Sequence, residues 1–297
     1  MKIAYHLYEL KGRNRFTNRK GALLRAHFQD GIFGYADCHP WEELGDLPLG
    51  QQLNLLRQEQ YTALTGRSLY YAQLDANARE HGLSIFHEKK IPPSHWLFSG
   101  DLNEFKDLKE FTHIKIKFNN LDDLPFLQTF LQQLPDHIKV RVDCNAKFNS
   151  KQFQKVLAEI KGSLHRVEYF EDPIPFNREE WMNLKIPLAC DQDSEQAIGT
   201  PFTTVIKPAV QDTHPFFGVP NPLVITSYLD HPIGQLAAAY TATQLPCTVC
   251  GLLSHAVYQT NDFSEQLVQM GPDLQPPEGT GFGFDKLLES LNWTQLS

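Results

Sequence analysis

Five short apolar runs between residues 112 and 208 each end in a charged side chain, and their order constrains the fold more than any other feature. The last charged residues of these runs are Lys117, Asp143, Glu171, Asp191 and Lys207. The steps from one to the next are 26, 28, 20 and 16 residues. One strand, one helix and two short loops need roughly 20–30 residues, so each step corresponds to about one βα unit.

The segments between these runs have the spacing of amphipathic helices. Apolar residues take the i, i+3, i+4 and i+7 positions at Phe153, Val156, Leu157 and Ile160. A second helical pattern has Leu124, Leu127, Leu131 and Leu134. Strands that alternate with helices predict a parallel sheet, and a long series of them predicts a closed α/β barrel. The run HWLFSG (95–100) is the expected first strand, which makes the Lys117 strand the second of eight.

The charged residues at the ends of the predicted strands indicate an active site with a metal ion. Active sites of such barrels lie at the C-terminal ends of the strands. Lys115 and Lys117 share one face of their strand, and two lysines on a buried face are costly unless that face is a site. Convergent carboxylates repel one another, and oxygen ligands favour a hard cation. We therefore expect Mg²⁺, or Mn²⁺ with the same ligands, at Asp143, Glu171 and Asp191.

The lysines on either side of this metal site favour abstraction of a proton next to a carboxylate. Lys117 on the second strand and Lys207 on the sixth lie on opposite sides of the predicted barrel. We expect the metal to stabilise the developing enediolate while Lys117 takes the proton. Lys115 should lower the pKa of Lys117 by repulsion between like charges, which makes Lys117 a better base.

These motifs resemble those of the enolase superfamily, in the branch with lysine bases. That branch includes muconate lactonising enzymes, N-acylamino-acid racemases, dipeptide epimerases and o-succinylbenzoate synthases, and the runs VIKPAV and ITSYLDHPIGQLA are most similar to the last family. The chain departs from this pattern in two places: Gln192 and Asp193 follow Asp191 in place of Glu-Ser, and Phe118 stands where a glycine often follows the second lysine. The resemblance covers most of the chain and rests on KIK (115–117), VDCN (142–145), EDP (171–173), the Asp191 run and VIKP (205–208).

The fold that the pattern and the resemblance imply is a (β/α)7β TIM-like barrel with an N-terminal α+β capping domain. A strand, a hairpin and two helices predict the cap over residues 1–92, and residues 93–297 would form the barrel. The basic loop at 11–21 is either a solvated loop or a mobile lid that meets an anionic substrate. The resemblance favours the lid, and it implies that the C-terminal segment returns to the cap.

The resemblance implies a Mg²⁺-dependent carbon–oxygen lyase of menaquinone biosynthesis. Its reaction would be the dehydration of 2-succinyl-6-hydroxy-2,4-cyclohexadiene-1-carboxylate to o-succinylbenzoate, with Lys207 stabilising the anionic intermediate. An N-acylamino-acid racemase or dipeptide epimerase stays open, since it would use Lys117 and Lys207 as two bases. A non-catalytic barrel that binds a metabolite is a third hypothesis, although the complete set of ligands and lysines argues against it.

Five further residues are candidate contacts for a small anionic carboxylate substrate. Asn145 shares the face of Asp143, although it could instead cap a loop. The hydroxyls at the end of a seventh strand (223–229) could bind a carboxylate or cap the next helix. A glycine in an eighth strand (247–253) would let the backbone approach a ligand. The five candidates are Asn145, Thr226, Ser227, Gly251 and, from the lid loop, Arg19.

Charge and composition exclude several classes of partner. The net charge of −8 argues against nucleic acid. The chain lacks the run of about 18 apolar residues that a membrane span requires. The five cysteines, an odd number, fit reduced thiols and a cytoplasmic protein. The sequence leaves the oligomeric state open.

Overall fold

A computed structural model describes residues 1–29, 31–100 and 108–296. Its N-terminal part is an antiparallel sheet covered by two helices. The strands are β1 (Lys2–Leu10), β2 (Arg19–Gln29) and β3 (Ile32–Cys38), and the helices are α1 (Leu49–Arg57) and α2 (Ala63–Glu80). Helix α2 begins with a capping box, in which Thr62 and Thr65 satisfy each other's free backbone N–H groups.

The central part of the chain is a parallel sheet of seven strands that follow one another in chain order. Each strand contacts the next along the chain, which is the arrangement that the alternating pattern predicts. The strands are β4 (Trp96–Leu97), β5 (His113–Lys117), β6 (Lys139–Asp143), β7 (Val167–Glu171), β8 (Leu188–Cys190), β9 (Thr203–Ile206) and β10 (Leu223–Ile225). The predicted site residues Lys117, Asp143 and Glu171 are the last residues of their strands, and Asp191 and Lys207 each come one residue later.

The segment after β10 closes the sheet into a barrel through isolated bridges. Parallel bridges join Cys250 to Ser94 and Gly251 to Thr226, so residues 247–251 lie between the two edges of the sheet. The predicted eighth strand at 247–253 is therefore present only as bridges. The seventh strand ends at Ile225, short of the predicted 229, because the chain turns away and Leu229 adopts a φ of 53°.

The helices on the outside of the barrel confirm the two periodic patterns. These helices are α3 (Leu124–Gln133), α4 (Ser150–Glu159), α5 (Arg178–Leu184) and α6 (Pro232–Gln244). The apolar faces of α3 and α4 are buried, with Leu127, Phe130 and Phe153 inaccessible to solvent. The connections at 191–202 and 207–222 contain turns and a short 3-10 helix, so the barrel has fewer helices than a full set of βα units.

The C-terminal segment runs back to the N-terminal sheet. It contains β11 (Val268–Met270), β12 (Asp273–Gln275), α7 (Asp285–Ser290) and β13 (Thr294–Gln295). Strand β13 pairs antiparallel with β1, with Ala4 opposite Gln295. The division into domains at residues 92 and 93 stays a prediction.

The basic loop is shorter than the expected 11–21. Residues from Arg19 onward belong to β2, because Arg19 pairs with Leu10 across the antiparallel sheet. The remaining loop contacts the barrel: the Arg15 guanidinium donates a hydrogen bond to the Phe98 carbonyl over 2.6 Å. Among the helices of the described residues, none has the length and apolar character needed to cross a membrane.

Candidate active site

A pocket of about 790 Å³, including its open mouth, lies at the C-terminal ends of the barrel strands. The residues of the barrel that were predicted from the sequence and line this pocket are Lys115, Lys117, Asp143, Asn145, Lys207, Thr226, Ser227 and Gly251. The structure thus gathers eight candidates from five segments of the chain that are far apart in sequence.

Lys115 is buried between two of the three predicted metal ligands. Its Nζ donates a hydrogen bond to Glu171 Oε1 over 2.6 Å and lies 3.0 Å from Asp143 Oδ2. Burial alone would lower the pKa of Lys115, but Asp143 and Glu171 outweigh it and raise this pKa well above its usual value. Burial would raise the pKa of Asp143, but the nearby ammonium groups, Lys115 foremost, outweigh burial and bring this pKa below its usual value. Lys115 is therefore a fixed cation that favours the ionised form of Asp143 and binds Glu171 Oε1.

Lys207 forms an ion pair with the third predicted ligand, Asp191. Burial opposes the charge of Lys207, but Asp191 raises its pKa above the usual value. The carboxylate of Asp172 fixes the turn on which Asp191 lies, because it accepts hydrogen bonds from the backbone N–H groups of Asp191 (3.1 Å) and Gln192 (3.0 Å). Asp191 itself lines an adjoining cavity that shares Lys207 and Asn145 with the main pocket.

Lys117 differs from the other two lysines because it reaches the open pocket without an ion-pair partner of its own among the described residues. Lys117 is exposed to solvent and lines the pocket. Partial desolvation lowers the pKa of Lys117; Asp143 opposes this effect, and the ammonium groups of Lys115 and Lys207 add to it. A lysine with a lowered pKa that faces a pocket has the properties of a general base.

The three carboxylates have the chemistry of a Mg²⁺ site, although the lysines separate them in this arrangement. Across residues 1–29, 31–100 and 108–296, no three His, Cys, Asp or Glu side chains come close enough together to hold a metal ion as they stand. Glu171 Oε2 is buried and has no hydrogen-bond partner in the described part of the chain. Burial raises the pKa of Glu171 to about 8, with repulsion from Asp143 and Asp191 adding to the effect. A hard cation would satisfy this oxygen and relieve the repulsion, so the residues fit Mg²⁺.

The residues predicted to contact the substrate differ in their hydrogen-bond partners. Asn145 donates a hydrogen bond to Asn119 over 3.1 Å. Ser227 Oγ donates to the Gly251 carbonyl over 3.1 Å, whereas the buried Thr226 Oγ1 has no partner among the described residues. Neither hydroxyl caps the next helix, because His231 is the N-cap of α6.

Arg19 does not line the pocket itself, but it packs against Trp41, which does. Its guanidinium lies 3.5 Å from the centroid of the Trp41 ring and 2.7 Å from Glu43 Oε1. Trp41 does line the pocket, and its indole N–H donates to the Tyr228 carbonyl over 3.1 Å. Arg19 therefore supports one wall of the pocket.

A family model and a curated relative indicate the same family. A family model described as "O-succinylbenzoate synthase, N-terminal domain" matches residues 3–78. The o-succinylbenzoate synthase of Bdellovibrio bacteriovorus is 32% identical, in an alignment that covers 100% of this chain and 99% of that protein. The chain belongs to the o-succinylbenzoate synthase family. It is therefore an enzyme, a lyase of the enolase superfamily, which generally uses Mg²⁺.

Solved structures of the same superfamily share the fold. The muconate lactonizing enzyme from Pseudomonas putida superimposes with a TM-score of 0.73 at 17% identity, covering 98% of this chain and 99% of that one. The enzyme from Pseudomonas fluorescens, complexed with muconolactone, gives a TM-score of 0.75 at 18% identity, with 95% of each chain covered. These similarities confirm the predicted TIM-like barrel with its separate N-terminal sheet.

Sequence reasoning missed several pocket residues of this synthase-family enzyme. Apart from Leu97 in β4, the apolar part of the wall comes from residues outside the regular strands and α-helices, where no periodic pattern marks a residue as inward-facing. Trp41 follows β3 and His95 begins the expected first strand, but neither position carries a charge pattern. The missed lining residues are Trp41, Leu44, His95, Leu97, Tyr228, Leu229, Leu253 and Ser254.

Proposed function

We propose that this enzyme dehydrates 2-succinyl-6-hydroxy-2,4-cyclohexadiene-1-carboxylate to o-succinylbenzoate. The observation that carries the proposal is that Lys117, Lys207 and Asp143 line the same pocket. Glu171 and Asp191 form ion pairs with two lysines of that pocket, Lys115 and Lys207. Membership of the synthase family supports the choice of substrate.

In the proposed reaction, Lys117 takes the proton from the carbon next to the ring carboxylate. The C–H bond breaks, its electrons form the new C=C bond, and the C–O bond to the hydroxyl group breaks. The proton held by Lys117 joins the leaving hydroxide, so one water molecule is released and the ring becomes aromatic. The lowered pKa of Lys117 supports this role, because a larger fraction of its amine is neutral at a given pH.

The other site residues would hold and stabilise the substrate. Asp143, Glu171 and Asp191 would hold Mg²⁺, which when bound supplies Lewis-acid stabilisation of the negative charge that develops on the carboxylate. Lys207 would stabilise the same charge from the opposite side of the pocket by its own positive charge. Lys115 would position Asp143 and Glu171 through the contacts described above.

The direct test follows the diene absorbance of the substrate in the ultraviolet. We expect the absorbance to fall when wild-type enzyme is mixed with substrate and Mg²⁺, and to stay constant with a chelator. Lys117→Ala should reduce kcat at least about 1,000-fold, because the proton acceptor is lost. Lys155→Ala is the matched control, since Lys155 is exposed on the outer helix α4. Folded, metal-loaded wild-type enzyme that leaves the diene unchanged would contradict the proposal.

A second candidate is an N-acylamino-acid racemase or dipeptide epimerase. The observation in its favour is that Lys117 and Lys207 both line the pocket, as a reaction with one base on each face requires. Lys207→Arg separates the two candidates, because racemisation needs a proton acceptor at this position and dehydration needs only a charge. Racemisation of N-acylamino acids by the wild type, lost in Lys207→Arg, would favour the racemase.

A further inference from the structure

His95 is a histidine of the pocket that the proposed reaction leaves without a role. It lies just before β4, only 5% exposed, and lines the pocket together with Thr226 and Gly251. Its backbone N–H donates to the Cys250 carbonyl over 2.7 Å, so the closing segment of the barrel fixes its place.

The neighbour of its Nδ1 atom determines which nitrogen of His95 carries the proton. Arg141 Nη1 lies 3.0 Å from His95 Nδ1, and Arg141 is fully buried. A guanidinium only donates hydrogen bonds, so Nδ1 must be the acceptor and Nε2 carries the proton. Burial, with the charges of Arg141 and Lys115, also holds the pKa of His95 well below its usual value, so the ring is neutral.

The Nε2–H group faces the space that Gly251 leaves open. A Cβ atom on Gly251 would stand 2.9 Å from His95 Nε2 and 2.8 Å from Thr226 Cγ2. Among the described residues, no side chain or backbone carbonyl accepts the Nε2 proton. An N–H donor that lines a pocket and has no acceptor in the protein is available to orient a ligand there.

The location of His95 defines which part of a ligand it meets. It belongs to the side of the barrel closed by residues 247–251, whereas Glu171 and Asp191 follow β7 and β8 on the other side. A neutral N–H donor selects an oxygen acceptor and adds no charge. The ligand should therefore have a carbonyl or carboxylate oxygen some distance from its metal-held end, as a succinyl side chain does.

We propose that His95 is a substrate-binding residue whose Nε2–H donates a hydrogen bond to the oxygen of the substrate remote from Glu171 and Asp191. The inference rests on the proposed function and extends it to the recognition of the side chain. His95 orients the substrate and takes no proton, so its loss should act on KM more than on kcat.

Two substitutions separate the contact with substrate from the contact with Arg141. An asparagine matches the Nδ1 position, so His95→Asn keeps an acceptor for Arg141 and removes the donor to the pocket. A glutamine matches the Nε2 position, so His95→Gln keeps the donor and removes the acceptor for Arg141. We expect His95→Asn to raise KM roughly 5- to 10-fold with kcat within about threefold, and His95→Gln to keep KM within about twofold.

Binding of the product gives a readout that does not depend on turnover. Calorimetry with o-succinylbenzoate should give the same order of affinities, with His95→Asn the weakest. In ¹⁵N spectra of wild-type enzyme, the His95 Nε2–H signal should shift when o-succinylbenzoate is added; its loss in either His95→Asn or His95→Gln assigns it. The spectrum keeps the inference testable if a variant fails to fold.

The opposite order of the variants would overturn the inference. If His95→Gln raises KM while His95→Asn matches the wild type, the histidine only supports Arg141. An Nε2–H signal that product leaves unmoved would also contradict the contact. Failure of the proposed function has a different signature, because the wild type itself would then neither convert the cyclohexadiene nor bind o-succinylbenzoate, and the inference would fall with it.

Discussion

At the scale of single residues, Gly251 decides whether the pocket can accept a ligand. A methyl group there would stand 2.7 Å from His95 Cε1 and 2.8 Å from Thr226 Cγ2, closer than carbon atoms approach one another. We predict that Gly251→Ala lowers kcat/KM for the cyclohexadiene at least about 10-fold, because both side chains must move into the substrate volume. Steady-state kinetics and the melting temperature of the variant check this prediction.

A matched substitution tests whether the effect belongs to the pocket. Gly66 lies inside α2, and a Cβ on it would have no neighbour within 4 Å. Gly66→Ala should leave kcat/KM unchanged and stabilise the protein by about 0.5–1 kcal/mol, because alanine is a better helix former than glycine. Equal kinetic losses in both variants would mean that the Gly251 effect is not local.

At the scale of secondary-structure elements, Asp75 joins three parts of the structure that are distant in sequence. Its carboxylate lies on α2 and is fully buried. It accepts hydrogen bonds from the backbone N–H of Tyr35 in β3 (2.9 Å), from the backbone N–H of Phe282 (2.6 Å) and from Arg79 Nε (2.6 Å). A single side chain therefore connects the helix, the sheet and the C-terminal segment.

Asp75→Asn should destabilise the protein by about 1–3 kcal/mol, because it removes one of the two charge partners of Arg79, the other being Asp285, and leaves one backbone N–H unpaired. Unfolding in urea, followed by circular dichroism, measures the loss. Asn77→Ala is the control on the exposed face of the same helix and should change stability by less than about 0.5 kcal/mol. A similar stability for both variants would show that Asp75 carries no such connection.

The elements that the sequence predicts well are those whose signal is local. The strand ends at Lys117, Asp143 and Glu171 follow from apolar runs that stop at a charge, and α3 and α4 follow from helical periodicity. The predicted eighth strand at 247–253 is present only as isolated bridges. Its pairing depends on contacts between distant residues, such as the bridge from Cys250 to Ser94, which no local pattern shows.

The finer arrangement of the candidate site depends on packing that no local pattern records. The sequence predicted Lys115 and Lys117 as neighbours with like charge, but the position of Lys115 between two carboxylates requires three strands to be assembled. The tautomer of His95 depends in the same way on Arg141, which is 46 residues away. Such contacts follow only once the barrel is closed.

At the scale of the whole molecule, two buried carboxylates face each other between the N-terminal sheet and the barrel. Asp37 belongs to β3, and Asp230 lies between β10 and α6. One oxygen of Asp37 lies 2.6 Å, and one of Asp230 2.7 Å, from the point where a Cβ on Gly234 would stand. Asp37 accepts hydrogen bonds from Tyr8 and from the backbone N–H of His231, whereas Asp230 Oδ1 has no partner among the described residues.

The environment of this pair favours its protonated form. Burial raises the pKa of Asp37 to about 7, and burial followed by the charge of Asp37 raises the pKa of Asp230 well above its usual value. The other titratable groups that face the pair are Tyr8 and His39, and Arg67 lines the same small cavity with its guanidinium bonded to the Ala209 carbonyl. Because the folded-state pKa exceeds the unfolded value near 4, the pair contributes stability below about pH 4, and this contribution is lost as pH rises towards 7.

The neutral variant Asp230→Asn should therefore stabilise the protein more at pH 8 than at pH 5. As pH rises, the wild type must either keep a proton on the buried pair or bury two negative charges that repel each other, whereas the variant buries one negative charge at most. We expect the stability difference between variant and wild type to be on the order of 2 kcal/mol larger at pH 8 than at pH 5. Urea unfolding at both pH values measures it, with the exposed Asp262→Asn as the charge-matched control. If the variant is less stable than the wild type at pH 8, neighbouring groups stabilise the negative charges of the pair. The pair would then not make the stability of the protein fall with rising pH.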